Sequence, residues 1–179
     1  LLGIFLQIVE GVEFLHNVHI AHMDLCIANV IGANAAHAQQ HKSVEFGKIY
    51  IIDFGSSMTL QLGPGKQRAV VLPPTQVRPP NGLKHFDPYS WDVYCTAHVL
   101  DFVLKVCDSK DKTSWVARRY ILWLMGDERG CSGICRCRPT ARKARQVLAL
   151  IRTFIYISDL CVRPLKLARR VLESSMPLL

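Results

Sequence analysis

The chain has 179 residues, 50% of them hydrophobic, and a formal net charge of +8. This length suits one globular domain or one lobe of a larger one, and the apolar content excludes disorder over most of it. No apolar run is long enough for a membrane span, and no basic start followed by an apolar core indicates a secretion signal. We therefore expect a soluble intracellular protein, in the cytoplasm or else the nucleus, with reduced cysteines.

The charge is unevenly distributed along the chain. Residues 1–106 carry 7 Lys/Arg and 8 Asp/Glu (7 − 8 = −1), whereas residues 107–179 carry 15 and 6 (15 − 6 = +9). A basic region of this kind forms a solvated surface or a face for an acidic partner. Because no nucleic-acid-binding motif accompanies the charge, we do not expect a nucleic-acid partner.

The first half of the chain predicts one helix, two extended segments and a long irregular stretch. Residues 2–16 place apolar side chains at helical spacing, and VHIAH (18–22) is a short extended segment. The small polar residues of 32–47 predict a loop or the tip of a hairpin, and KIYIID (48–53) predicts a strand. Residues 56–88, rich in Gly and Pro, predict a long irregular segment, and segments of this length are often functional.

The second half of the chain predicts helices. Residues 89–107 are apolar nearly all round, which is typical of a buried helix, and 114–125 is amphipathic. A further helix is expected over 140–157, and 158–179 forms a basic tail with helix at 166–174. Three tryptophans occupy helical positions and are predicted to lie in the core: Trp91, Trp115 and Trp123.

Two features could be taken for metal ligands. Cys131, Cys135 and Cys137 have the spacing C-x₃-C-x-C, which is not typical of a zinc finger, and no nearby His completes a set of four. We therefore expect free thiols. His98 lies within an apolar helix, and we predict that it is a hydrogen-bonded core residue.

Two polar clusters interrupt apolar runs in the first half of the chain. His22, Asp24 and Asn29 lie in HIAHMDLCIANVI, and D-F-G follows the predicted strand at residues 53–55. Phosphoryl transfer requires an Asp that accepts the proton of the attacking hydroxyl, and an Asn and a second Asp that hold Mg²⁺ against the nucleotide phosphates. The glycine after Asp-Phe predicts a sharp turn of the backbone. The alternative is that these are only turn and cap residues.

These motifs resemble those of eukaryotic-type protein kinases. HMDLCIAN resembles the catalytic loop H-R-D-x-x-x-x-N, and DFG resembles the metal-binding motif. YSWDVYCTAHVL is similar to the buried central helix of the kinase large lobe, and CRPTARKARQVL is similar to the start of its last helix. The resemblance covers about residues 1–155 and implies an α+β fold, a mainly helical large lobe with a few short strands, followed by a basic tail, 156–179.

The resemblance implies a role for each matching residue. Asp24 would be the catalytic base, and Asn29 and Asp53 would bind Mg²⁺ and, through it, ATP. Four residues would support the site: His22, Phe54, Gly55 and Asp92. The implied activity is transfer of the γ-phosphoryl group of ATP to a Ser, Thr or other hydroxyl of a protein substrate.

The sequence departs from the family pattern at several positions. Met23 replaces the Arg that can pair with a phosphorylated activation loop, and Cys26 replaces a Lys that contacts the γ-phosphate. RPPN (78–81) occupies the position of Ala-Pro-Glu, so Arg138 has no Glu partner there, and we expect it to be solvated.

The family's small lobe, with its Gly-rich loop, strand Lys and helix Glu, has no counterpart in these residues. We therefore expect a fragment that alone binds nucleotide weakly and transfers little. Two other functions remain open. One is a catalytically dead pseudokinase or scaffold. The other is a small-molecule phosphotransferase of the aminoglycoside or choline type, which the Gly of DFG and the WDVY helix disfavour.

Overall fold

The computed structural model describes residues 1–80, 83–107, 112–127 and 137–174, with side chains throughout except at 112–114 and 162–174. The helices are α1 (Leu2–Asn17), α2 (Ala35–Gln40), α3 (Pro88–Val106), α4 (Lys112–Met125) and α5 (Ala141–Ser174). The strands are β1 (Ile20–Ala21), β2 (Val30–Gly32), β3 (Ile49–Ile51), β4 (Met58–Thr59), β5 (Val70–Val71) and β6 (His85–Phe86). The fold is therefore α+β, mostly helical with a few short strands, as the sequence predicts.

The strands form three antiparallel pairs, β1 with β4, β2 with β3, and β5 with β6. β2 and β3 make a hairpin in which Val30 lies opposite Ile51. The tip of this hairpin contains α2, which Asn34 caps by accepting a hydrogen bond from the His37 N–H at 2.9 Å. The prediction of a hairpin tip over 32–47 is confirmed, with a short helix inside it.

α3 is the central helix of the core. Thirteen of its 19 residues are buried, including Trp91 and Leu100. Asp87 caps its first turn by accepting a hydrogen bond from the Ser90 N–H, and Pro88 occupies the first helical position. α3 packs against α1 and α4, and burial of each large apolar side chain stabilises the fold by about 1.5–3 kcal/mol. The prediction of a buried helix here is confirmed.

α5 is a single 34-residue helix, where the sequence predicts separate helices at 140–157 and 166–174. The segment between those ranges contains no glycine that would end a helix, and Pro164 within it removes one backbone hydrogen bond without ending α5. The N-terminal part of α5 packs on α1, and the guanidinium of Arg145 forms an ion pair with the carboxylate of Glu13.

The prediction that all three tryptophans lie in the core is wrong for Trp115. Trp91 is fully buried and Trp123 is half-buried, but the Trp115 side chain is 63% exposed. It lies on the outer face of α4, where the guanidinium of Arg119 stacks 5.5 Å from its ring centre. Helical spacing alone does not distinguish the inner from the outer face.

Among the helices that the structure describes, none combines the length and apolar character that crossing a membrane requires.

Candidate active site

The carboxylate of Asp92 lies at the centre of the candidate site. It is fully buried in the first half of α3, and both of its oxygens accept hydrogen bonds. Oδ2 accepts from the backbone N–H of His22 at 2.7 Å and lies 3.0 Å from Nε2 of His16, while Oδ1 accepts from the backbone N–H of Met23 at 2.9 Å. Hydrogen bonds to a buried carboxylate are among the stronger ones in proteins. The segment before Asp24 is therefore fixed to the central helix.

Met23 adopts a strained backbone conformation that these contacts hold in place. Its φ is +67°, in the left-handed region that residues other than glycine seldom adopt. Its carbonyl oxygen accepts a hydrogen bond of 2.8 Å from Nε1 of Trp91, while its N–H is bound by Asp92. The Met23 side chain is fully buried in the core.

His22 joins the two motifs. Its ring is fully buried, and Nε2 lies 2.9 Å from the carbonyl oxygen of Ile52, one residue before D-F-G. The same ring packs against Phe54, with 5.0 Å between ring centres. Phe54 remains 46% exposed on its other side. The loop 22–29 and the segment 52–55 are thus in direct contact, although they are separated by more than 20 residues in sequence.

Asn29 ends a 3₁₀ turn (Ile27–Asn29) and is 5% exposed. Its Nδ2 donates to the carbonyl oxygen of Asp24 at 2.8 Å, and its own carbonyl oxygen accepts from the N–H of Ile52 at 3.0 Å. The second bond extends the β2–β3 pairing and brings Asn29 next to the segment that carries Asp53. This hydrogen bond uses Nδ2 of Asn29 and leaves Oδ1, an atom of the type that can bind a cation, outside the contact.

Asp53 follows β3 and has an exposed carboxylate. Its φ is +61°, and Oδ1 accepts a long hydrogen bond of 3.4 Å from the N–H of Gly55. The left-handed turn is therefore made by Asp53. The predicted sharp turn is present as a 3₁₀ turn (Phe54–Ser56) that contains Gly55. It does not require a glycine, because φ of Gly55 is not positive and a Cβ there would meet Asp53 Oδ1 at 3.4 Å, an ordinary contact.

Asp24 is partly exposed, and its carboxylate faces the long irregular segment. The backbone N–H of Gln76 donates to Oδ1 at 3.0 Å, and the Gln76 side-chain amide lies 3.5 Å from Oδ2. Sequence reasoning did not single out Gln76, because it lies in a Pro-rich stretch with no periodic pattern. His16 was missed as well, although a His on the apolar face of a predicted helix is a signal for a buried hydrogen bond.

The expectation that Arg138 is solvated is wrong. Arg138 is 7% exposed, and its guanidinium lies 4.9 Å from the ring centres of both Phe86 and Tyr94. Nη1 donates to Oγ of Ser90 at 3.3 Å. Burial lowers the pKa of Arg138 to about 10, opposed in part by Tyr94, so it remains charged at neutral pH. Its surroundings include two aromatic faces and the Ser90 hydroxyl, and the negative charge of Asp127 favours its protonated form.

The prediction that His98 is hydrogen-bonded is wrong at one atom, because its buried Nε2 has no hydrogen-bond partner among the described residues. The ring of His98 packs on Tyr94.

The donors of the candidate site suit Mg²⁺, which prefers oxygen ligands and keeps several waters. Asn29 offers an amide oxygen, Asp53 offers an exposed carboxylate, and a backbone hydrogen bond joins their segments. Across the described ranges, the candidate site included, no three His, Cys, Asp or Glu side chains gather into a metal site. Cys131 and Cys135 of the sequence-level zinc hypothesis lie outside the described residues, as does Asn81 of RPPN.

No protein family and no curated protein matches this chain. Its functional assignment therefore depends on the residues and geometry of the site.

Proposed function

We propose that this chain is a protein-kinase-like large lobe that supports transfer of the γ-phosphoryl group of ATP to a protein hydroxyl. The observation that carries the proposal is the set of contacts around Asp92 and His22. Asp92 holds the backbone before Asp24, and His22 holds the segment before Asp53. These buried, directional hydrogen bonds support the proposal, because they hold the backbone segments that carry the proposed base and the proposed metal ligands.

In this proposal Asp24 accepts the proton of the acceptor hydroxyl. The acceptor oxygen must come within about 2.6–3.2 Å of the carboxylate, where Gln76 now binds. Asn29 Oδ1 and the Asp53 carboxylate would hold Mg²⁺. The bound ion would neutralise part of the negative charge on the phosphates. Asn29 also fixes the loop through its bond to the Asp24 carbonyl oxygen, so base and ligand are positioned together.

A pseudokinase is the second candidate, and one observation favours it. The Asp24 carboxylate already accepts hydrogen bonds from Gln76. The Asp53 carboxylate accepts a hydrogen bond from the N–H of Gly55 within the same turn. Cys26, where the family carries a cationic Lys, cannot neutralise phosphate charge. In this alternative the same fold presents a binding surface and transfers nothing.

A thermal-shift titration with Mg²⁺-ATP tests the nucleotide site. A ligand that binds only the native state at 100 times its Kd stabilises it by about 2.7 kcal/mol. We expect a shift in the wild type that Asp53→Asn removes and that the surface variant Asp101→Asn keeps. If Mg²⁺-ATP stabilises none of the folded variants, the proposal fails.

A transfer assay then separates the two candidates. Asp24→Asn leaves both metal ligands in place, so it is expected to keep the Mg²⁺-ATP shift and to abolish transfer of labelled phosphate to peptide acceptors. A Mg²⁺-ATP shift with no transfer by the wild type, even with the small lobe of a kinase supplied, favours the pseudokinase.

A further inference from the structure

The side of α5 that points away from the core carries exposed apolar side chains. The inner side packs in the core through buried residues such as Ala144 and Leu148. Five large apolar side chains further along the helix are more than half exposed, and we call them the outer face of α5: Leu150, Phe154, Tyr156, Ile157 and Leu160. In the sequence, the spacing of 150, 154 and 157 continues at 161, 165, 168 and 172, all of them apolar residues. A contiguous exposed apolar surface of this kind marks an interaction site.

The apolar surface extends from α5 onto α4. Trp115 is 63% exposed and lines a cavity of about 720 Å³ between the two helices, together with Leu150 and Phe154. Tyr156 and Leu160 do not line this cavity, and helical spacing places them on the opposite, convex side of α5. The surface therefore includes both a groove and the convex ridge beside it.

Cationic residues accompany this apolar surface. Helices α4 and α5 together carry 11 Lys/Arg and 2 Asp/Glu (11 − 2 = +9). The guanidinium of Arg119 stacks on the ring of Trp115, and Arg152 is exposed two residues after Leu150. Asp159, one of the two acidic residues, lies at the polar end of the cavity beside Ser158. The charge of the two helices favours a partner that is negatively charged.

The shape and charge of the surface favour an anionic bilayer over a protein. A second copy of this chain would bring two strongly cationic faces together, and these would repel each other. An acidic helix seated between α4 and α5 would match the charge but leave Tyr156 and Leu160 uncovered on the convex side. A bilayer adapts to a convex surface, and Trp and Tyr favour the boundary between lipid headgroups and acyl chains. A helix with an apolar face and Lys and Arg beside it is typical of proteins that bind this boundary.

We propose that the outer face of α5, together with Trp115, binds the surface of a bilayer that contains anionic phospholipids. The helix lies in the plane of the bilayer, its exposed apolar side chains enter the boundary between headgroups and acyl chains, and its Lys and Arg contact the anionic headgroups. This binding does not depend on the proposed phosphoryl transfer, because none of these residues belongs to the candidate active site.

Vesicle flotation with the 179-residue chain tests the proposal. The vesicles contain phosphatidylcholine alone or with about 30 mol% phosphatidylserine, at about 0.1 M and about 0.5 M salt. Phe154→Glu places a carboxylate on the outer face of α5. Phe46→Glu is the matched control, because both Phe side chains are 72% exposed and Phe46 lies in the hairpin between β2 and β3. Tyr156→Glu makes a similar change on the convex side, outside the cavity.

We expect the wild type and Phe46→Glu to bind the anionic vesicles at least about tenfold more tightly than the phosphatidylcholine vesicles, and to bind less tightly at the higher salt concentration. Phe154→Glu and Tyr156→Glu should each weaken binding at least about tenfold. Both substituted side chains are mostly exposed, so the variants should keep the wild-type melting temperature. A wild type that does not float with anionic vesicles, or variants of α5 that float as the wild type does, overturn the proposal.

Tryptophan fluorescence locates the contact without relying on the α5 variants. Trp115 is the most exposed of the three tryptophans, whereas Trp91 is fully buried and Trp123 is half-buried. Anionic vesicles should shift the emission to shorter wavelength, and Trp115→Phe should remove the shift. Flotation without this shift would place the contact elsewhere and overturn the proposal.

Two measurements without lipid identify the alternative occupants. Sedimentation equilibrium that shows a wild-type dimer, dissociated by Phe154→Glu, would assign the face to a second copy and overturn the proposal. The second measurement uses a synthetic amphipathic helix of Glu and Leu. If this peptide binds the wild type and Tyr156→Glu equally, and the wild type does not bind anionic vesicles, the groove is a site for an acidic protein partner and the proposal is overturned.

Discussion

The backbone N–H of Gln76 donates a 3.0 Å hydrogen bond to the carboxylate of Asp24, 52 residues away in sequence. This contact fixes part of the long irregular segment against the loop that carries Asp24. In the proposed function the same oxygen accepts the substrate proton, so the segment would first have to move or exchange this bond for one to the acceptor hydroxyl.

Removing the carboxylate is expected to release Gln76. In Asp24→Ala the Gln76 amide loses a hydrogen bond to a charged group, which contributes about 1.5–3 kcal/mol. The Gln76 amide should exchange with solvent at least about tenfold faster than in the wild type. Hydrogen exchange by NMR measures this. The backbone amide of Leu72, which bonds to the Lys84 carbonyl, is the control and should not change. Equal Gln76 exchange in both proteins would show that the contact does not persist in solution.

Asp92 is expected to be a major determinant of stability. Asp92→Asn keeps one acceptor oxygen but turns an N–H₂ group toward a buried backbone N–H, either that of His22 or that of Met23. We expect a loss of about 3 kcal/mol in the free energy of unfolding, measured by urea denaturation. Asp101→Asn is the control, because it removes an exposed ion pair with Lys105 and should cost less than about 1 kcal/mol. Similar losses in the two variants would contradict the anchoring role.

Asp87 should make the fold less stable as the pH rises from about 4 to 6. Burial raises the pKa of Asp87 to about 6, while the unfolded value is 3.8. Within this window the folded state keeps a proton that the unfolded state has lost, so the free energy of unfolding falls as the pH rises, by about 3 kcal/mol in total.

Asp87→Asn removes this titration and keeps an oxygen that can accept from the Ser90 N–H. The stability of this variant relative to the wild type should therefore increase between pH 4 and pH 6.5 and stay constant above. Urea denaturation across this range, with Asp101→Asn as the reference, measures the difference. A difference between Asp87→Asn and the wild type that does not vary with pH would contradict the raised pKa.

Arg138 is expected to stabilise the packing of β6 against α3. Arg138→Ala removes the stacking on Phe86 and Tyr94 and the bond to Ser90, with an expected loss of about 2–3 kcal/mol. Thermal or urea unfolding measures it. Arg152→Ala, on the exposed side of α5, is the matched control and should change stability by less than about 0.5 kcal/mol. If Arg138 were solvated, Arg138→Ala and Arg152→Ala would show similar, small losses in the free energy of unfolding.

The sequence by itself determined the elements whose pattern is local. The apolar spacing of residues 2–16 predicts α1, the nearly all-apolar run of 89–107 predicts α3, and the β-branched run of 48–53 predicts β3. These predictions succeed because side-chain periodicity follows from backbone geometry within a few residues. The candidate residues Asp24, Asn29 and Asp53 were also identifiable in the sequence, because their types and spacing suit a known chemistry.

Only the tertiary structure decided which of these residues meet. Asp92 contacts His16 across 76 positions, Gln76 contacts Asp24 across 52, and neither pair has a local pattern that reveals it. Arg138 is buried because aromatic side chains from β6 and α3 surround it, and Trp115 is exposed because packing on α3 orients the opposite face of α4 inward. Burial depends on contacts between segments that are distant along the chain, and periodicity within one segment carries no information about them.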